Sequence, residues 1–329
     1  MKTVVIIGGG TATFTLLQGL RQFPTNNIVI VSTADDGGSA GTLRKELGIM
    51  PYGDIRQCLI GLSYTVPALQ NLFLYRFDRG TLKGHNVGNI LLAALQKITG
   101  SPESAIAEAA RLLNVRGEVL FVSKQPTMLS AKLKDGTRIL SEHALDEPIT
   151  KKRAPIEKLM LTKANVNPRV LDALARADAI VLGPGDLYTS TLPNLLVPGV
   201  AEAISTSPAK KILITNLMTK LGQTDGFRAS DFVREANRYL SVTEGQSAID
   251  TVIVNTKKPY REILNRYRKE KAVFVEPDSE RIKKMGVTVI ARPVLSNRIH
   301  KKASGDVLTR SLIRHNAERT AEIIWNLIK

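Results

Sequence analysis

The groups in this chain best suited to hold a ligand sit in three polar, glycine-bearing loops, each closing a short apolar run. Gly8-Gly9-Gly10-Thr11 follows Thr3–Ile7, Ala34-Asp35-Asp36-Gly37-Gly38-Ser39 follows Ile28–Ser32, and Gly183-Pro184-Gly185-Asp186-Leu187-Tyr188-Thr189-Ser190 follows Ala179–Leu182. Glycine lets backbone N–H groups approach a pyrophosphate at the start of a helix. Ligands of parallel sheets bind at the carboxyl ends of the strands. Three such loops therefore predict one site for a phosphorylated ligand.

Each loop has a particular chemistry and a plainer alternative. Gly8-Gly9-Gly10-Thr11-Ala12-Thr13 approaches the spacing G-x-G-x-x-G, with Thr13 where the third glycine would stand; a tight turn without ligand would read the same way. Asp35 and Asp36 end the second strand, where an acid contacts a ribose in dinucleotide folds, and two carboxylates also suit Mg²⁺ held against a diphosphate. A solvated Asx-turn is the third option. In the last loop Gly183, Gly185, Asp186, Tyr188, Thr189 and Ser190 offer N–H and O–H groups to a phosphate, and the amides of Asn194 and Asn216 suit a base or sugar edge.

Gly53-Asp54-Ile55-Arg56 and Gly84-His85-Asn86-Val87-Gly88-Asn89 open helical patterns. Asp54 reads equally as a helix cap or a ligand contact, and His85 and Asn89 share a face if the helix begins before them. No zinc spacing occurs, Cys58 falls in the apolar pattern of 55–62, and none of the four histidines has a nucleophile beside it. If there is catalysis, metal-assisted chemistry at a phosphate fits better than acyl transfer.

The elements that must position these groups alternate. Strand-like runs at 3–7, 27–32, 178–182, 211–215 and 250–254 lead into helical patterns, among them 13–23, 87–99, 102–113, 168–177, 231–238, 259–269 and 315–328. This predicts an α/β fold: a Rossmann-like, doubly wound, mainly parallel sheet with helices on both faces. The runs at 117–123, 128–133 and 137–140, the last two joined by Asp135-Gly136, predict a small antiparallel β excursion over 117–161. One α/β domain is expected over 1–329.

Bulk properties narrow the setting. The 329 residues can bury a full core, and a single cysteine excludes an internal disulfide framework and suits a cytoplasmic protein. No apolar run approaches the ~18 residues of a membrane span. The net charge is +16, and residues 257–302 hold fourteen Lys/Arg against five Asp/Glu. That block lacks the interleaved aromatics of a single-strand binder, which argues against a nucleic-acid partner and for a basic face that attracts a small anion.

Taken in order, Gly8–Thr11, Ala34–Ser39, Gly53–Arg56, Tyr75-Arg76-Phe77, Gly84–Asn89, Leu113–Gly117, Gly183–Ser190 with Pro193-Asn194-Leu195, and Asn216–Thr219 resemble the YvcK proteins, bacterial gluconeogenesis factors of the CofD-like group. The resemblance runs from residue 3 to about 325. It implies a Rossmann-like fold, a cytoplasmic location and a nucleotide-diphosphate ligand of the UDP-N-acetylglucosamine type, with a role in gluconeogenic growth and cell shape. The CofD branch instead transfers a phospholactyl group from a nucleotide-activated donor to a deazaflavin, with Mg²⁺. By position, the tyrosine and arginine that grip the UDP-sugar in the YvcK branch are Tyr267 and Arg314. The chain departs from the pattern at Ala12, where glycine is usual, and at Asn316, where aspartate is usual.

The resulting expectation is a nucleotide-diphosphate-sugar-binding regulator with no catalytic residue assigned. It contacts its ligand through Gly8, Gly9, Gly10, Thr11, Asp36, Gly37, Gly38, Ser39, His85, Asn89, the third-loop residues, Asn194, Asn216, Tyr267 and Arg314. Asp35 and Asp36 are the candidate Mg²⁺ ligands, and no cofactor is required. A protein partner and a homo-oligomer are left open. The alternative is a Mg²⁺-dependent transferase of the 2-phospho-L-lactate transferase type.

Overall fold

Runs of Val, Ile and Leu with no polar interruption have no solvent face, so they are stable only where both sides of a strand are covered. The computed structural model, which describes residues 1–148, 153–240, 246–300 and 311–329, places seven such strands in one sheet. In chain order the strands of the protein are β1 (Lys2–Ile7), β2 (Thr25–Val31), β3 (Glu118–Phe121), β4 (Leu129–Leu133), β5 (Arg138–Ile139), β6 (Ile156–Leu161), β7 (Ala179–Leu182), β8 (Lys210–Ile214), β9 (Thr251–Asn255) and β10 (Thr288–Arg292). The large sheet has the order β10-β9-β8-β7-β1-β2-β3, and every pairing in it is parallel. β1 therefore lies between β2 and β7, with Val4–Ile7 in register against Ala179–Leu182. The strand order reverses there, which opens a crevice at the carboxyl ends of β1 and β7.

Alternate residues of each strand serve opposite faces. Val5, Ile7, Ile28, Ile30, Ile180 and Leu182 join one core, against helices Pro168–Ala175, Val200–Thr206 and Ala229–Tyr239. Val4, Ile6, Val29, Val31 and Val181 join the other, against helices Gly10–Leu20, Gly53–Gly61, Val87–Thr99, Pro102–Leu112 and Ala317–Ile328. The expected Rossmann-like α/β architecture is the observed one.

The antiparallel part differs in its membership. The small sheet has the order β5-β4-β6, with β4 antiparallel to both neighbours. The run at 117–123, expected in that excursion, forms β3 and pairs parallel with β2 instead. Val119, Leu120 and Phe121 are all buried, as a two-sided parallel strand requires, whereas β4 alternates buried and half-buried residues as a one-sided strand does. Residues 149–152 of the excursion, like Lys301 and Lys302 of the basic block, lie outside the described residues. Asp135-Gly136 makes the expected turn: Gly136 has φ +87° and Asp135 Oδ1 accepts from the Thr137 N–H at 2.9 Å. β10 had no counterpart among the predicted runs; it is a half-exposed edge strand without a continuous apolar signal.

Candidate functional site

A cleft of about 580 Å³ opens at the carboxyl ends of the strands, walled by the loops after β1, β2, β7 and β8. Helices Gly10–Leu20, Gly38–Leu47 and Gly53–Gly61 start on its wall, and none has a side-chain hydrogen bond at its N-cap. Their first backbone N–H groups and dipoles thus favour an anion, the chemistry expected of diphosphate recognition. Of the expected residues, Gly9, Gly10, Thr11, Asp35, Gly37, Ser39, Asn89, Gly185, Asp186, Thr189, Ser190, Asn216, Tyr267 and Arg314 line this one cleft.

Several others do not line it. Gly8 and Gly183 are turn residues whose N–H groups bond Ile30 O and Ile7 O at 3.1 and 2.9 Å, and Gly38 opens its helix at φ +49°. His85 precedes the helix, which begins at Val87, so it shares no helix face with Asn89. Tyr188 is 2% exposed, packs against Phe227 at 6.5 Å and has Glu235 beside its hydroxyl, away from the cleft. Residues 187–191 form a π-helical turn, with Ser190 N and Thr191 N both bonded to Asp186 O at 2.9 and 3.1 Å. That turn sends Tyr188 into the core while Thr189 and Ser190 stay on the cleft wall. Asn194 is fully buried and braces the same turn by donating to Ser190 O and Thr191 O at 2.9 and 3.3 Å.

Asp35 and Asp36 diverge rather than pair. Asp36 Oδ1 accepts from the His143 N–H at 2.8 Å, off the cleft wall, while Asp35 Oδ1 accepts from the Gly37 N–H at 3.0 Å in an Asx-turn. Arg44 pins this loop through the carbonyls of Thr33, Asp35 and Thr127. The two adjacent carboxylates do not fit a shared Mg²⁺ seat. Asp35 and Asp54 do border the cleft together, and a Cβ at Gly53 would lie 2.9 Å from Asp35 Oδ2. Two carboxylates with phosphate oxygens and water suit Mg²⁺, so these are the residues that would hold it. Among the described residues no group of three or more His, Cys, Asp or Glu is arranged for a metal.

The glycine motifs interlock through their charged residues. A Cβ at Gly9 would stand 1.9 Å from Asp54 Oδ2, and one at Gly88 would stand 2.5 Å from Arg56 Cδ. Arg56, 4% exposed yet on the cleft wall, donates from Nε to Asn89 Oδ1 at 2.9 Å and from Nη1 to Phe73 O at 3.3 Å. Asn89 thus bears on the cleft partly by orienting a guanidinium. Thr13, in the place of a third glycine, donates to Pro184 O at 3.1 Å and ties the first loop to the third.

On another wall Lys220 Nζ bridges Asp146 Oδ1 at 2.5 Å and Asp186 Oδ2 at 2.7 Å. Burial raises the Asp146 carboxyl, but Lys220, Thr189 and Gln223 bonded to it bring it below the usual carboxylate range. Desolvation by the surrounding protein outweighs Lys220 at Asp186: although its side chain keeps 36% exposure on the cleft, its carboxyl sits above that range. Glu142 is pushed well above it by burial and then by the charges of Asp35, Asp146, Asp36 and Asp54. Lys220, Asp146 and Glu142 were not anticipated; no motif or period connects 142–146 with 186 and 220, and only the tertiary fold does.

Tyr267 and Arg314 both border the cleft. The Tyr267 hydroxyl accepts from the N–H groups of Leu312 at 2.9 Å and Ile313 at 3.4 Å, so it fixes the segment carrying Arg314 while its ring borders the cleft. His315, also on the wall, places Nε2 3.1 Å from Thr215 O, and burial lowers its pKa to about 4. Asn316, where the resemblance has aspartate, accepts from the Arg319 N–H at 2.9 Å and caps the last helix, a role open to either residue. Ala12 lies on the cleft wall.

The sequence family described as 2-phospho-L-lactate transferase CofD matches residues 4–295. A protein of Halalkalibacterium halodurans named gluconeogenesis factor is 41% identical over 98% of this chain and 95% of its own length. A protein of the same name from Bacillus subtilis is 38% identical over 99% of this chain and 98% of its own. A crystal structure of a Bacillus halodurans protein superposes with a TM-score of 0.89 at 40% identity, covering 98% of this chain and 99% of that one.

Proposed function

The chain belongs to the CofD family, and from that premise we propose that it is a cytoplasmic regulator that binds a nucleotide-diphosphate sugar of the UDP-N-acetylglucosamine type, linked to gluconeogenic growth and cell morphogenesis. The names of its relatives support the gluconeogenic link. The observation that carries the ligand class is the convergence of three helix starts without side-chain caps on the crevice where the strand order reverses. Diphosphate oxygens would take those N–H groups, with Arg56 and Arg314 adding charge-assisted bonds. A bound sugar nucleotide would order the cleft walls, and a partner protein would read that state. Among the described residues no helix is long and apolar enough to cross a membrane, in keeping with this setting.

A second reading, a Mg²⁺-dependent transferase of the 2-phospho-L-lactate transferase type, is favoured by one feature. Glu142, half-buried, stands among four carboxylates on the cleft wall, so its protonated form is favoured and it would supply a proton inside the cleft. Mg²⁺ would offset the charge of the donor's phosphates. Isothermal titration with UDP-N-acetylglucosamine, NAD and GDP, with and without Mg²⁺, tests the first reading; product analysis with the deazaflavin acceptor tests the second. Tight UDP-sugar binding without turnover is the expected result. Turnover would establish the transferase, and absence of nucleotide binding would refute both.

A further inference from the structure

Resting on the diphosphate reading above, we infer that the wall built by Asp146, Lys220 and Asp186 is the subsite for a neutral, hydroxyl-bearing group attached to the second phosphate, and that it selects against a third phosphate. Lys220 Nζ is shared between the two carboxylates at 2.5 and 2.7 Å, leaving two negative charges against one positive. Thr189 Oγ1 and Gln223 Nε2 also donate to Asp146 Oδ1, at 3.2 and 3.4 Å. Thr189 and Gln223 thus add to Lys220 at Asp146, while the Asp186 side chain, also bonded to Lys220, remains 36% exposed on the cleft.

Acceptors are in surplus at this wall: the carboxylates of Asp146 and Asp186 together carry four oxygens, against the ammonium of Lys220 and the donors of Thr189 and Gln223. An ionised carboxylate only accepts hydrogen bonds, so its natural ligands are O–H groups, and a sugar ring presents several. A terminal phosphate is largely deprotonated at neutral pH and adds negative charge next to a net negative wall, where screening by water is weaker than in bulk. It would have to draw Lys220 away from two carboxylates that already hold it. The helix starts and Arg56 serve the diphosphate, whereas this wall of the same cleft has the opposite net charge.

The test is a titration series on the full-length protein with UDP, UDP-N-acetylglucosamine and UTP at one fixed free Mg²⁺ concentration. The parent protein should prefer UDP-N-acetylglucosamine to UTP by about tenfold or more. Asp186→Asn and Asp146→Asn, checked for unchanged melting behaviour, should bring UDP-N-acetylglucosamine down toward UDP and raise UTP, collapsing that ratio. Equal affinity of the parent protein for UTP and the UDP-sugar overturns the inference whatever the variants do. So does an unchanged ratio in either folded variant. In both cases the diphosphate reading survives, whereas a parent protein that binds none of the three nucleotides refutes that reading and the inference together.

Discussion

Gly9 and Asp54 are packed so closely that a methyl group on Gly9 would lie 1.9 Å from the Asp54 carboxylate. The backbone of Gly9 is extended, φ −160° and ψ −174°, which any residue can adopt, so its lack of a side chain is a matter of space alone. The acid at the start of one helix thus sits on the glycine loop that starts another. Gly9→Ala should cost about 1–3 kcal/mol of stability, the scale of overpacking. Adding Asp54→Ala should return part of that loss. A four-member cycle measured by denaturant unfolding checks it, and strict additivity would contradict the contact.

Arg56 depends on Asn89 in the same way. Asn89→Ala removes the acceptor at 2.9 Å from a buried guanidinium and should destabilise by about 1.5–3 kcal/mol, the range for hydrogen bonds to charged groups. In an Arg56→Met background the same change should cost far less. Melting temperatures of the four proteins decide between this and a purely local packing role for Asn89.

Lys220→Met would leave Asp146 and Asp186 facing each other without their shared cation. A loss of about 1–3 kcal/mol at neutral pH is expected, below that of a fully buried pair because water reaches this cluster and screens part of its charge. Without the ammonium, the folded-state pKa of each carboxyl rises, so folding takes up protons as pH falls. The deficit relative to the parent protein should therefore shrink from pH 7 to pH 4 in parallel unfolding measurements. A deficit that grows on acidification would show that charge is not the cause.

His315 gives the opposite dependence. Burial holds its folded pKa at about 4, below the ordinary 6.5, against a smaller opposing effect of the Thr215 carbonyl. Its contribution is complete above pH 6.5 and is lost as pH falls from 6.5 toward 4, because only the unfolded chain takes the proton readily. The loss over that window is about 3 kcal/mol. His315→Asn should flatten this part of the stability profile, and an unchanged slope would place the proton uptake elsewhere.

Tyr267→Phe removes the oxygen that receives the Leu312 and Ile313 N–H groups and keeps the ring on the cleft. It should weaken UDP-sugar binding and cost about 1–3 kcal/mol of stability, because two N–H groups lose their acceptor and the segment bearing Arg314 loses its tether. Arg314→Ala should cost about 1.5–3 kcal/mol, or ten- to a hundred-fold in affinity. Titration calorimetry reads both, and parent-like affinity in both variants would remove these residues from the site.

The sequence by itself determined the strands of the parallel sheet other than β3, expected in the antiparallel excursion, and β10, together with the loops that close them. A two-sided strand must be apolar at every position, and a strand-to-helix turn needs glycine wherever another chain segment comes close. Both demands are local and leave a mark in consecutive residues. Even β3 carried its mark: the unbroken Val119-Leu120-Phe121 distinguishes it from the alternating Leu129–Leu133. Which side chains share the cleft was decided only by the tertiary structure. Tyr188 and Ser190 stand two residues apart in one polar loop, and a π-helical turn sends the first into the core and leaves the second on the wall. Asp35 and Asp36 are adjacent, yet a helix starting at Glu142 takes one carboxylate away. Asp146, Asp186 and Lys220 come from three separate stretches of chain, and they form one wall because β7 and β8 pair in parallel, which sets the loops after them side by side, with the helix Glu142–Asp146 brought against both. Long-range pairing of this kind depends on how folded elements approach one another, and no spacing along the chain encodes it.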